Sequence, residues 1–245
     1  MVVQASPPEG RPAIEVEGVA KQYGLLAVLR GVNLRVAEGE RLVLFGPNGA
    51  GKTTLIRILA TLTRASEGRV RVFGWDVRTE ADAVRAALAL VAHGHHLYDD
   101  LTARENLAFS ARMGGVNGGG EALGRALKEV GLEAFADARV RTFSAGMKRR
   151  VALARLFLRR PRLVLLDEPY TGLDPDGAAV LDRFLEDHRG RGGTAVMATH
   201  DHEHGYGISD RIAILGRGRI EWQARREAVS LEAVREAYAS VGRGR

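Results

Sequence analysis

The sequence has 245 residues, of which 45% are hydrophobic and 27% are charged, so its composition is that of a globular protein with one large domain or two small ones. The absence of cysteine excludes disulfide bonds and thiolate metal sites. A net charge of +6 favours an acidic partner, such as a nucleotide, a nucleic acid or an anionic lipid.

Residues 1–12 form an N-terminal lead that lacks the charged start and apolar core of a secretory signal. Apolar runs such as residues 163–166 and 86–92 fall far short of the roughly 18 to 20 residues that a membrane-spanning helix needs. We therefore expect that the chain does not cross a bilayer itself, and that any role at a membrane depends on a partner.

Short strands are predicted over residues 14–16, 32–36 and 41–45, because these apolar stretches are separated by glycine and polar turns. Their closeness in sequence indicates local antiparallel pairing. The third strand runs into a glycine-rich turn, and a helix is predicted from Thr53, where apolar residues recur at helical spacing as far as Leu62.

The middle of the sequence is predicted to be helical. Thr102 and Glu105 form the pattern of a capping box at the start of an amphipathic helix that ends near Gly114. A short glycine-rich connector follows, and two more helices are predicted over residues 121–130 and 143–158.

Buried strands and helices alternate in the last third. Apolar runs at residues 163–166 and 194–198 flank a helix predicted over residues 177–188, which is typical of a parallel sheet with helices on both faces. Residues 212–222 are predicted to form a hairpin, and Ser230 to cap a final helix that leads into a basic tail.

Residues 46–53 read GPNGAGKT and match the phosphate-binding pattern G-x-x-x-x-G-K-[ST]. Glycines let backbone N–H groups converge on phosphate oxygens, and the following helix presents its positive end. Lys52 is expected to reach the β- and γ-phosphates, and the Thr53 hydroxyl to bind Mg²⁺. An ordinary glycine turn is the alternative, but the position between a strand and a helix favours nucleotide binding. The expected contacts are Gly46, Pro47, Asn48, Gly49, Ala50, Gly51, Lys52, Thr53 and Thr54.

Residues 163–168 read LVLLDE, so a buried strand delivers two carboxylates to its carboxyl end, where ligands bind in open α/β sheets. Asp167 is placed to hold Mg²⁺ through water, and Glu168 to accept a proton from the attacking water or to orient it. Such a pair alone is often a solvated strand end, and the upstream phosphate loop favours the catalytic interpretation.

Three further motifs occur in order: FSAGM at residues 143–147, TGLD at 171–174 and ATH at 198–200. Together with the two nucleotide motifs they resemble those of ATP-binding cassette (ABC) ATPases over about residues 13–225. The resemblance implies an α/β P-loop NTPase cassette with a RecA-like core and an N-terminal antiparallel β subdomain. The cassette is expected over residues 13–228, with a helical subdomain inserted at about 94–158, followed by a C-terminal helix and basic tail at 229–245.

In ABC ATPases two cassettes sandwich two ATP molecules head to tail. The resemblance therefore implies a homodimer in which Ser144, Ala145 and Gly146 contact the γ-phosphate of the nucleotide held by the other copy, while Asp174 links the two sites. In the copy that holds the nucleotide, it implies that His200 donates to the γ-phosphate as a neutral imidazole and acts beside Glu168 and Lys52. Tyr23 matches the aromatic residue that stacks on adenine, with an ordinary exposed aromatic as the alternative.

Two departures from the family pattern stand out. His93 lies where these ATPases usually place a glutamine that coordinates Mg²⁺ or water and senses the membrane partner, and imidazole can also donate or accept there. In the signature, the family residues are replaced by Phe143, Ala145 and Met147. Whether Met147, the fifth residue, contacts the nucleotide held by the other copy is therefore left open.

His93, together with LYDDLTARENL and SAGMKRRVALARLFL, resembles the ATP-binding subunit of the haem exporter of cytochrome c maturation. Drug and polysaccharide export cassettes share much of this stretch. We predict a homodimeric ATPase in the cytoplasm, peripheral on the inner face of the cell membrane. It is expected to dock under an integral membrane permease and to drive export, with haem as one cargo and a drug, polysaccharide or lipid as alternatives.

A soluble ABC ATPase of DNA repair or translation is the alternative from another class, although this sequence lacks the tandem cassettes, zinc modules and coiled-coil insertions common there. A P-loop kinase does not explain FSAGM and ATH together. No aromatic-interleaved basic stripe suggests a nucleic-acid partner.

The histidines at 93–96 and 200–204 are interpreted as loop residues rather than metal or haem ligands. Six residues are predicted to form the core of the helical subdomain, and some of them could also line a groove that receives a helix of the permease: Leu97, Tyr98, Leu101, Leu107, Phe109 and Met113.

Overall fold

The computed structural model describes residues 12–92, 97–116 and 118–243. The predicted N-terminal lead up to residue 11 and the last two residues of the basic tail lie outside this range. The described residues form two units. One contains residues up to Leu90, residues 163–168 and the chain from Gly192 onward; the other contains residues 91–162 and 169–191.

The first unit begins with a four-stranded antiparallel sheet. Its strands are β1 (Pro12–Tyr23), β2 (Leu26–Ala37), β4 (Glu67–Val72) and β5 (Trp75–Asp76), in the order β2-β1-β4-β5. The two predicted N-terminal strands are confirmed and are longer than the sequence indicated. Their alternating burial places one face of β1 and β2 in the core.

A second sheet of six strands carries the predicted parallel core. It contains β3 (Arg41–Phe45), β6 (Leu88–Val91), β7 (Leu163–Asp167), β8 (Thr194–Ala198), β9 (Arg211–Gly216) and β10 (Arg219–Arg225), in the order β10-β9-β3-β8-β7-β6. Strand β3 pairs in parallel with β8 and β9, so the expectation of local antiparallel pairing was wrong for this strand. All five of its residues are buried, which suits a strand covered on both faces.

Four helices belong to the first unit: α1 (Lys52–Leu59), α2 (Ala81–Ala87), α7 (His202–Ile208) and α8 (Leu231–Arg243). Helix α1 packs Leu55 and Leu59 into a core shared with residues of both sheets. The predicted extension of α1 to Leu62 was wrong, because Thr61 turns into the left-handed region with a φ of 64° and the Leu62 side chain is exposed.

The second unit contains α3 (Ala103–Met113), α4 (Gly120–Glu129), α5 (Ala145–Arg159) and α6 (Pro175–Gly190). The predicted capping box is confirmed: the Glu105 amide donates to Thr102 Oγ1 at 3.1 Å, and the Thr102 amide to Glu105 Oε2 at 2.8 Å. Among the described residues, none of the helices has the length and apolar character needed to cross a membrane.

The predicted apolar core of this unit is correct only in part. Leu107 is fully buried, whereas Tyr98, Phe109 and Met113 are 53%, 43% and 72% exposed. Helix α3 therefore turns one face inward and leaves Phe109 and Met113, which are four residues apart, on its outer face. The rings of Tyr98 and Phe109 meet edge to face with centroids 5.0 Å apart.

His188 makes the stability of the second unit depend on pH. Its ring is buried against Phe184, and Nε2 lies 3.0 Å from the Pro161 carbonyl oxygen, so the neutral imidazole donates there. Burial lowers the pKa of His188 below its ordinary value of 6.5; the bond to Pro161 opposes this shift and Arg191 adds to it.

We expect the free energy of unfolding to fall as the pH drops below 6.5, because the unfolded chain then binds a proton that folded His188 resists. One such proton contributes at most about 1.4 kcal/mol per pH unit. Urea denaturation on both sides of this pH measures the effect. H188Q keeps a donor but does not titrate, so its pH dependence should be shallower. An unchanged slope in H188Q would contradict the assignment.

Candidate functional site

Parallel pairing brings three strand ends to one edge of the six-stranded sheet. Ala198 at the end of β8 pairs with Leu44 of β3 on one side and with Asp167 of β7 on the other. The phosphate loop follows β3, Glu168 follows β7, and His200 follows β8. The structure therefore brings these predicted nucleotide residues together within the first unit.

The phosphate loop starts where no side chain fits. A Cβ on Gly46 would lie 2.3 Å from the carbonyl oxygen of Leu215, which is backbone and has little room to shift. Gly49 and Gly51 have φ values of 80° and 105°, in the left-handed region that glycine adopts without strain. These glycines let the loop fold back on itself, as a phosphate-binding loop requires.

Lys52 is buried in the loop as the first residue of α1. Its Nζ donates to the carbonyl oxygens of Gly46 at 2.5 Å and of Pro47 at 3.4 Å. Burial lowers the pKa of Lys52 below its ordinary value, while the carboxylates of Glu168 and Asp167 act in the opposite direction. The ammonium thus lies near both carboxylates and within the loop expected to hold phosphate.

Other loop residues are more accessible. Ala50 is buried and its amide donates to the Pro47 carbonyl oxygen at 3.1 Å, while Asn48 and Gly49 are exposed. Thr53, in the first turn of α1, is exposed and Thr54 is half-buried. The Thr53 hydroxyl is therefore accessible to a ligand at the helix N-terminus.

Glu168 is held by its backbone and by its side chain. Its amide donates to the Ala198 carbonyl oxygen at 2.8 Å, and its φ of 50° is unusual for a residue with a Cβ. Its Oε2 lies 2.8 Å from Nδ1 of His200, whose side chain is 66% exposed. A left-handed backbone at such a position indicates that the neighbouring strands fix the direction of the carboxylate.

The contact with Glu168 limits what His200 can do. A carboxylate only accepts, so Nδ1–H of His200 donates to Glu168, and Nε2 of the neutral ring is then an acceptor. To donate to a phosphate oxygen, the ring must release Glu168 or take up a second proton. The expected neutral donor therefore requires a change in this contact when nucleotide binds.

The donor set at this edge fits a magnesium ion. Thr53 supplies a hydroxyl oxygen and the buried Asp167 a carboxylate oxygen, both of the kind that Mg²⁺ prefers. Among the described residues, no group of three or more acidic or histidine side chains is arranged as a complete metal site. Mg²⁺ is usually bound by few protein groups together with substrate phosphates. His93, the third predicted ligand, lies outside the described residues.

Tyr23 ends β1 and its side chain is exposed, as expected for a residue that stacks on a base. Lys21 Nζ lies 4.7 Å from the centre of its ring, a cation–π contact that sequence reasoning missed. The two residues are alternate residues of one strand, and their side chains therefore point to the same side of the sheet.

The predicted trans residues meet within the second unit. Ser144 caps α5, with its Oγ accepting from the Met147 amide at 3.2 Å, so Ala145 and Gly146 form the first turn. A Cβ on Gly146 would lie 2.8 Å from Oδ2 of Asp174. Asp174 in turn caps α6, with Oδ1 accepting from the Gly177 amide at 2.8 Å.

Sequence reasoning did not name Arg150, which pairs with Asp174 at 3.4 Å. It lies about one and a half helical turns after the N-terminus of α5, on the side that faces Asp174. The run Lys148, Arg149 and Arg150, directly after the signature, was the available signal. Arg150 thereby connects the signature helix with the loop that carries Asp174.

The chain is similar in sequence to known proteins. A family model described as ABC transporter matches residues 29–171. A cytochrome c biogenesis ATP-binding export protein of Cupriavidus metallidurans is 42% identical over 187 residues, covering 76% of this chain and 89% of that protein. A daunorubicin resistance ATP-binding protein of Streptomyces coeruleorubidus is 40% identical over 213 residues, covering 85% of this chain and 66% of that protein.

The chain is also similar to a solved dimeric structure of an ATP-binding cassette in a post-hydrolysis state bound to ADP and phosphate. The TM-score is 0.79 at 28% identity, and the match covers 86% of this chain and 98% of that one. The predicted fold class, an ABC cassette of the α/β P-loop type, is confirmed by this similarity.

Gly46→Ala should weaken nucleotide binding at least about tenfold, because the new methyl group would collide with the Leu215 carbonyl oxygen and displace the loop. Titration with a fluorescent ATP analogue measures the affinity. Gly124→Ala is the matched control, since a Cβ there meets nothing within 4 Å in helix α4. It should leave binding unchanged and stabilise the chain by up to about 1 kcal/mol. Equal affinities in the two variants would contradict the assignment of the loop.

Proposed function

The chain belongs to the ABC transporter family, and on that premise we propose that this ATP-binding export subunit drives the export of haem for cytochrome c assembly. It is an ATPase of the ABC type, with hydrolysis coupled to transport. The observation that carries the assignment as an ATP-driven motor is the meeting of the phosphate loop, Glu168 and His200 at one sheet edge. The similarity to a cytochrome c biogenesis export protein over most of its length supports the choice of cargo.

Nucleotide binding is assigned to the loop and to α1. Backbone N–H groups between Gly46 and Gly51, apart from Pro47, which has none, would hold the β- and γ-phosphates at the positive end of the helix. The ammonium of Lys52 would exchange its carbonyl acceptors for phosphate oxygens, and Tyr23 would stack on adenine. Thr53 and Asp167 would hold Mg²⁺, with His93 as a further ligand, and the bound ion would neutralise charge on the phosphates.

Hydrolysis is assigned to Glu168. Its carboxylate would orient the attacking water and accept its proton, in the direction set by the left-handed backbone and by the bond of its amide to Ala198. His200 would transfer its hydrogen bond from Glu168 to the γ-phosphate when ATP binds, which frees the carboxylate for the water. Lys52 would stabilise negative charge as the phosphate bond breaks.

The complete site is proposed to need two copies of the chain. Ser144, Ala145 and Gly146 of one copy would contact the γ-phosphate held by the other, using the N-terminus of α5. Asp174 would link the two sites through its contact with Gly146. The dimeric state of the similar cassette supports this arrangement.

The membrane partner is proposed to be an integral permease, with the ATPase peripheral on the cytoplasmic face of the cell membrane. Both curated relatives carry names of export or resistance functions, and neither name mentions DNA or the ribosome. Co-purification from membranes in mild detergent tests the choice: a membrane protein is expected, whereas ribosomes or DNA would support the soluble alternative. ATPase activity of the reconstituted complex should rise with haem, and a response only to an anthracycline would assign a drug instead.

Glu168→Gln should lower the ATPase rate about a hundredfold or more while ATP still binds, because the amide cannot accept the proton of the attacking water. Size-exclusion chromatography with ATP should show an accumulated dimer, and phosphate release measures the rate. Glu17→Gln, at an exposed position of β1, is the control and should behave as wild type. Undiminished turnover in Glu168→Gln would remove Glu168 from its role.

A further inference from the structure

Contacts of helix α8, and of the residues just before it, fix this helix on helix α7 and strand β9, all within the first unit. The Tyr206 hydroxyl donates to the Val229 carbonyl oxygen at 2.9 Å, just before α8 begins. Arg235 pairs with Glu203 at 2.7 Å. At the far end of α8, Val241 packs so closely on β9 that a Cβ on Gly216 would lie 2.3 Å from it. Helix α8 therefore has one defined position on α7 and β9.

His202, the first residue of α7, lies between two aromatic rings. Its ring centroid is 4.9 Å from that of Phe45 and 4.4 Å from that of Tyr238, in edge-to-face arrangements. No described residue offers a hydrogen bond to its buried Nε2, so packing on the two rings is what holds this side of the imidazole.

The surroundings of His202 disfavour a charge on its ring. Burial lowers the pKa of His202, and the nearby Arg235 and His200 act in the same direction, while Asp201 opposes them. A neutral ring stacks as an aromatic group, so phenylalanine at this position reproduces the contact and alanine removes it.

The stack connects α8 with both parts of the nucleotide site. Phe45 is the last residue of β3 and directly precedes Gly46 of the phosphate loop. His202 follows His200 by two residues, with Asp201 between them capping α7 through the His204 amide at 3.0 Å. Close packing continues at Gly205, where a Cβ would lie 2.8 Å from the Phe45 ring. The segment that carries His200 thus packs against the end of β3 on one side and against α8 on the other.

We infer that His202 and Tyr238 are positioning residues for ATP hydrolysis, which place His200 relative to Glu168 and the phosphate loop through the stack Phe45–His202–Tyr238. The C-terminal helix α8 is then part of the catalytic apparatus, although it lies far along the chain from every nucleotide motif. The inference rests on the proposed role of His200. The His200 side chain is 66% exposed and must release Glu168 to reach a phosphate, so the base of its loop must be held in place.

The test uses the full-length protein and the steady-state kinetics of ATP hydrolysis. His202→Ala and Tyr238→Ala should lower kcat about ten- to hundredfold with KM for ATP little changed, because the γ-phosphate contact is misplaced while the loop still binds. His202→Phe and Tyr238→Phe are the matched controls and should stay within about twofold of wild type, since the rings are retained. In a His200→Ala background, Tyr238→Ala should cause no further loss of kcat, because the residue being positioned is gone.

The outcomes separate the inference from the proposed function. If His200→Ala lowers kcat while both alanine variants turn over like wild type, the inference is wrong and the role of His200 stands. If the alanine variants lose nucleotide affinity and thermal stability in proportion to kcat, or add their full loss in the His200→Ala background, α8 is only structural. If His200→Ala itself keeps the wild-type kcat, the proposed role of His200 and the inference fail together.

Discussion

The parallel pairing of β3, β8 and β7 is the constraint on which the candidate site depends. These strands are buried throughout, so a shift of register would carry the phosphate loop, Asp167 and His200 out of line with one another. Ala198 fixes the register from the middle strand, since it pairs with both neighbours and accepts from the Glu168 amide. The geometry of the candidate site is thus a consequence of core packing.

Charges of both signs lie together at this edge before any nucleotide binds. Lys52 is a buried cation with carbonyl acceptors, and the two carboxylates at the end of β7 favour its charged form. The oxygens of a triphosphate would be stronger acceptors for the Lys52 ammonium than the two carbonyl oxygens are. The negative charge of the triphosphate would also repel the carboxylates of Asp167 and Glu168. This arrangement of charges suggests two changes when nucleotide binds. Mg²⁺ would bind at Asp167, and His200 would transfer its hydrogen bond away from Glu168.

The sequence indicated which residues meet at the candidate site better than it indicated the path of the chain. GPNGAGKT, LVLLDE and ATH are local patterns, and their residues meet because each follows a buried strand. Strand β3 was assigned to the wrong sheet, because its partners β8 and β9 lie about 150 or more residues further along the chain. Residues 67–91 received no prediction, since their strands are short or half-exposed. The contacts of Arg150 and Tyr238 depend on tertiary neighbours rather than on spacing in the sequence. The basic run after the signature therefore indicated Arg150 without indicating its partner.

The central claim is that one sheet edge supplies only half of each site, and that the signature of a second copy supplies the rest. The most direct measurement is specific ATPase activity as a function of protein concentration at saturating ATP. The account predicts that activity per chain rises with concentration and levels off as pairs form. A constant activity per chain in solutions where light scattering detects only single copies would contradict it.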